Sequence, residues 1–104
     1  MVSYGTVITL NSGLGNLVSV TLGTPGVLKV ITGATINVSG QKLNSASVNG
    51  ILALLVSLDG TNGTTLWGAG KTLTINGGTN AAPSGQGILN KATLVARTAT
   101  VTTN

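Results

Sequence analysis

Turn-forming residues interrupt this chain at intervals of roughly ten residues, and between them apolar and polar side chains alternate. Alternation with period two puts successive side chains on opposite faces of an extended backbone, so the pattern asks for short strands. Val2, Tyr4, Thr6, Ile8 and Leu10 share one face of a first strand. Val18, Val20 and Leu22 alternate with Ser19 and Thr21. Residues 27–32 are apolar on both faces except at Lys29, and Ile36 and Val38 point one way in residues 35–39. Residues 64–67 and 71–76 read as short strands around Gly68-Ala69-Gly70. Residues 88–103 read as one long extended segment ending in Thr-rich alternation.

Between these lie the turns. Gly23-Thr24-Pro25-Gly26 has Pro at the second turn position, where its fixed φ fits. Asp59-Gly60-Thr61-Asn62-Gly63 tolerates positive φ and reads as a hairpin loop. Residues 77–87 form the longest loop, and residues 40–50 read as loop with one short strand. Periodicity does not decide residues 51–58, which are almost wholly apolar. Eight residues between Asn49-Gly50 and Asp59-Gly60 fit a strand buried on both faces, with a two-turn helix as the alternative.

The sum is about eight short antiparallel strands, the signature of an all-β jelly roll or Greek-key β-sandwich. Val, Ile and Thr supply 34 of the 104 residues, which favours strands. No repeat of fixed period stands out, so solenoids are set aside. The length predicts one domain over residues 1–104. Residues 92–104 are expected to form an extended C-terminal arm that pairs outside its own subunit, with a frayed tail as the competing reading.

Charge is the second constraint. The chain carries Lys29, Lys42, Lys71, Lys91, Arg97 and one acid, Asp59. A compact monomer of this size shows water about 5,300 Å², so charges stand far more thinly than on an average soluble surface. Such a surface resists self-association poorly and suits a protein covered by neighbours. The five cations are scattered and read as solubilising charges. With only Tyr4 and Trp67 as aromatics, no nucleic-acid footprint is present.

Composition also removes most chemistry. The chain has no Cys, no His and no Glu. Transition-metal ligand sets and Ser-His-Asp triads therefore cannot be built within one chain, and neither an enzyme nor a cofactor is expected. Gly68-Ala69-Gly70-Lys71-Thr72 looks like the tail of a phosphate-binding loop, but Thr65 stands where the first Gly belongs. The loop at 59–64 has the outline of a calcium loop with a single carboxylate, too few to offset the ion's charge. Met1-Val2-Ser3-Tyr4-Gly5 has neither a basic start nor an apolar stretch. The longest apolar run, residues 51–56, is too short to span a bilayer.

Length near 100, the Gly23-Thr24-Pro25-Gly26 turn, the Thr/Val-rich residues 17–22 and the nearly charge-free, His- and Cys-free composition together resemble small head-decoration and cement proteins of tailed bacteriophages. The resemblance is one of type and carries no motif. It implies a β-sandwich or jelly roll that sits as a homo-oligomer on a capsid lattice and braces it. The partners are then other copies and a major capsid protein, and the location is a virion assembled in the host cytoplasm. A phage tail, fibre or adhesin component is the alternative, with residues 77–87 touching host glycans. Trp67, Leu94 and Val101 are the expected interface residues, because a large aromatic beside a turn and an overlong strand both invite a partner.

Overall fold

A computed structural model of the chain describes residues 7–9, 15–31 and 34–104. The fold is α/β. Its elements are β1 (Val7–Thr9), β2 (Thr35–Asn37), α1 (Ser45–Ser57), β3 (Thr72–Ile75), α2 (Gln86–Ala96) and β4 (Thr100–Thr103). The four strands form one sheet in the order β1-β2-β3-β4, and every pair is parallel. The expectation of eight antiparallel strands in a sandwich is therefore overturned. Parallel neighbours cannot be joined by a tight turn and need a long crossover. Helix α1 supplies the crossover from β2 to β3, and α2 the one from β3 to β4.

Residues 51–57 belong to α1, the helical alternative rather than the doubly buried strand, and Leu58 caps the helix. Asn44 supplies the missing start signal: its Oδ1 accepts the backbone N–H of Ser47 at 2.9 Å, which satisfies one of the free donors of the first turn. Leu43 just before this cap and Val48 four residues after it are both fully buried, the positions of a hydrophobic staple. The helix then buries Val48, Ile51, Leu52, Leu54 and Leu55. Spacings of three and four along that set are the helical period. The loop reading of residues 40–50 hid this period by cutting the helix in half.

The long extended segment at 88–103 also divides. Residues 86–96 are helix, and only Thr100–Thr103 is strand. Gln86, Leu89, Lys91, Ala92, Leu94 and Ala96 are all good helix formers, and they outweigh the local alternation. Helix α2 ends in a Schellman-type cap. Ala99 N–H reaches Leu94 O at 3.1 Å and Thr98 N–H reaches Val95 O at 2.9 Å, with Thr98 at φ +64°. The expected arm at 92–104 is thus the end of α2 plus β4, paired with β3 of its own chain.

Three other expected strands fail in a different way. Residues 17–31 carry no strand, and neither do residues 64–67. Segment 15–31 is extended but bonds to loops and a helix start. Leu17 O accepts Lys42 N–H, Val18 O accepts Asn44 N–H, and Lys29 O accepts Thr65 N–H. Its turn at residues 24–27 keeps the expected chemistry, with Gly26 at φ +85° and Val27 N–H on Thr24 O. The first expected strand survives as Val7–Thr9; the rest of residues 2–10 lies outside the described residues.

One core holds the molecule together. Leu22, Leu28 and Ile31 from segment 15–31, the buried face of α1, Leu94 of α2 and the inward strand residues Ile36, Leu73 and Ile75 belong to one cluster. Helices α1 and α2 pack on each other. The sheet therefore has one face covered by segment 15–31, α1 and α2 in turn. Its other face carries Thr35, Asn37, Thr72, Thr74, Thr100 and Thr102, all half-buried or exposed. A wholly parallel sheet is usually covered on both faces. Here each turn of chain adds one short strand beside the last, the quasi-one-dimensional stacking of solenoid proteins. Sequence reasoning set that architecture aside because the connections, residues 38–71 and 76–99, differ in length.

Candidate functional site

The polar groups of this chain are mostly tied into the stack. Asn80 is buried and joins two turns. Its Nδ2 donates to Val38 O at 2.8 Å and Ile75 O at 3.2 Å, and its Oδ1 accepts Leu43 N–H at 3.0 Å. Gln41, also buried, accepts Leu17 N–H at 3.1 Å and donates to Ser39 O at 3.2 Å. Asn104 accepts Gly77 N–H at 2.8 Å and donates to Asn80 O at 2.8 Å. Three primary amides beyond the ends of β2, β3 and β4 thus each bond the turn before them. They satisfy backbone groups that short strands leave without ladder partners. Residues 77–87 are braced by this ladder and by Ser84, whose Oγ accepts Asn49 Nδ2 at 2.9 Å.

Arg97 is not a solubilising charge. Its guanidinium donates to Val56 O at 2.9 Å and to Leu55 O and Leu58 O at 3.4 Å. These are carbonyls at the C-terminal end of α1, which has no basic residue in its own last turn. A cation there meets the negative end of the helix dipole. Lys91 Nζ reaches Thr103 Oγ1 at 2.7 Å, joining α2 to β4. Asp59 is exposed and accepts from Thr61 Oγ1 at 2.6 Å and Thr61 N–H at 3.0 Å. Those bonds, the Thr61 hydroxyl first, hold its carboxyl below the usual range. The loop it caps joins α1 to Trp67 and is no hairpin. Among the described residues no group of His, Cys, Asp and Glu could hold a metal ion.

Residues 68–71 form a turn, with Lys71 N–H on Gly68 O at 3.0 Å, and lead into β3. A phosphate-binding loop needs a helix at that point, whose first N–H groups face the anion. The strand supplies none.

The three expected interface residues face inward. Trp67 and Leu94 are fully buried and belong to the core cluster, and Val101 is half-buried and packs against it. Trp67 and Leu94, with no exposed surface, offer a partner no side-chain anchor on this monomer. Among the described residues, the large apolar side chains exposed to solvent are Val18, Val27, Leu66, Ile88, Leu89 and Val95. Three of these six lie on α2. The strand reading of residues 88–103 hides this face, since Ile88, Ala92 and Val95 share a side only at the helical period.

The fold and these surfaces define an α/β protein of stacked strand-and-crossover turns, with one sheet face that no helix covers among the described residues. No protein-family model matches the chain, nor does any curated protein or solved structure.

Proposed function

We propose that the protein is a structural subunit of a protein assembly, with capsid decoration or cement on a virion as its setting, and that it works by protein–protein contact. The observation that carries this reading is the state of the surface. The chain exposes 5022 Å² around six charged side chains, and three of those are engaged in bonds of the chain's own. Arg97 is directed to α1 carbonyls, Lys91 to Thr103, and Asp59 to its own loop. Lys42 and Asp59 stay exposed and Lys29 and Lys71 half-buried, and between these few charges lie a threonine-rich sheet face without charge and an apolar helix face. Surfaces of that kind persist where neighbours cover them. The jelly-roll fold that the resemblance implied is withdrawn, so the reading rests on surface chemistry alone.

The test is localisation by mass. The tagged chain is expressed during particle production in the host that carries its gene, and particles are banded on a density gradient. The reading expects the chain in the particle band at a fixed ratio to the major capsid protein. Particles that form normally without it, while it stays in the soluble fraction, overturn the reading.

A further inference from the structure

Helix α2 has a buried inner side and, beside it, an exposed apolar one. The inner side holds Gly87, Asn90 and Leu94, all buried, and Gly87 backs directly on Asn49 of α1. At 100° per residue, Ile88, Ala92 and Val95 form a second stripe that points away from α1, with Leu89 and Ala96 along its far edge. All five are exposed. Lys91, which lies between the buried side and this stripe, reaches β4 through Thr103. The stripe therefore flanks the outer edge of β4.

That edge is open. β4 pairs with β3 and with no further strand among the described residues. Thr100 N–H points inward to Lys71 O, and alternate residues of a strand point their backbone groups to opposite sides. The N–H and C=O groups of Val101 and Thr103 consequently face outward. An apolar helix face beside an unpaired strand is an unsealed end of the stack, where stacked proteins ordinarily place a polar outer face.

We infer that this end seats a second copy of the same chain across a two-fold axis, a partner choice that rests on reading the chain as a structural subunit. Three observations favour a second copy. First, the stripe carries no charge, so it meets itself without repulsion. Second, its shape is self-complementary when antiparallel. Ala92 lies at the middle, and bulky Ile88 of one copy falls opposite small Ala96 of the other. Third, the chain already makes this pair of contacts internally, since β3 pairs with β4 while α1 packs on α2. A two-fold axis through the sheet repeats both at once. β4 meets its copy antiparallel, Val101 opposite Thr103, which uses every outward backbone group and keeps Thr100 and Thr102 on the open face. The result is one continuous sheet with both α2 helices on the same side, and an isologous contact of this kind closes after two subunits.

The experiment places one charge at the centre of the contact. Sedimentation velocity on the full chain is expected to give twice the 10.2 kDa chain mass. Ala92→Glu and Ala92→Lys should each raise the dimer dissociation constant at least about a hundredfold, because like charges then face each other across the axis. Mixing the two variants should restore the dimer. Thr103→Pro removes an outward N–H without touching the β3 ladder, and should weaken the dimer too. Circular dichroism shows that each variant keeps its helices. A wild type that stays at single-chain mass at its highest soluble concentration overturns the inference. So does an assembly that survives both charged variants. A monomer found in particles sinks this seat alone; a dimer absent from particles sinks the structural-subunit reading alone.

Discussion

Thr98 shows how much a single backbone angle is worth in this chain. It sits at φ +64°, the left-handed position after α2 that glycine ordinarily fills. A β-branched residue there costs roughly 1–2 kcal/mol, while glycine's extra freedom in the unfolded chain returns roughly 0.5–1 of that. Thr98→Gly should therefore stabilise the protein by about 0.5–1 kcal/mol, raising the melting temperature by several degrees. No gain in a thermal melt would mean that this end of α2 is held otherwise. Arg97, one residue earlier, is the opposite case. Arg97→Ala takes the guanidinium from Val56 O, while Leu55 O and Leu58 O keep the N–H groups of Leu58 and Trp67, and should cost roughly 1–2 kcal/mol. Arg97→Lys should recover only part, because a lysine lacks the fork that spans Val56 O and Leu58 O. Urea titration of the three proteins measures both numbers, and equal midpoints would remove Arg97 from the account. Neither residue's role was legible in sequence. An isolated Arg and a Thr in a Thr-rich tail have many bland uses, and only the turn of the chain brings Arg97 under α1.

At the scale of elements, sequence reading succeeded where two strands were short and flanked by turns, and failed where composition was shared between strand and helix. β2 and β3 lie inside the expected strands at 35–39 and 71–76. There the buried alternation is carried by Ile36, Leu73 and Ile75. Helix α1 stood only as the alternative because residues 51–58 are apolar on every side, and its period shows only when Leu43, Asn44 and Val48 are read with it. Asn44→Ala should accordingly cost about 1 kcal/mol, the usual worth of a cap, with the loss visible as earlier melting of the helical signal. Asn44→Ser should be nearly neutral, since its hydroxyl can also accept Ser47 N–H. If alanine and serine behave alike, the side chain does not start this helix. Segment 17–31 teaches the converse. Its alternation holds in part, burying Leu22, Leu28 and Ile31 but exposing Val18, and its backbone partners include the loops at 42–44 and 65. Alternation reports a one-sided extended chain; it does not report what that chain pairs with.

The whole molecule is unusual in how little of its stability can depend on pH. Acid unfolding in most proteins comes from protonating many paired carboxylates, or from charging histidines buried in the neutral form. This chain has no His and one carboxyl side chain, Asp59. The bonds from Thr61 lower the Asp59 pKa in the folded state. The contribution is therefore complete above the unfolded value, and it is lost as pH falls through the lower folded value. Between those limits the unfolded state binds more protons, so stability declines as acid is added. The loop is exposed, water screens it, and the decline is small. Full protonation of Asp59 moves the formal side-chain charge from +4 only to +5, too little to drive the stack apart by repulsion. The buried amides that join the turns, Gln41 and Asn80, do not titrate at all, and the core cluster is apolar. The protein should thus remain folded at pH 2, with Trp67 fully buried and its emission unchanged from pH 7. Asp59→Asn should erase what slope there is in melting temperature below about pH 4. A cooperative red shift of Trp67 emission between pH 5 and 3 would show that a group outside this reasoning holds the stack together.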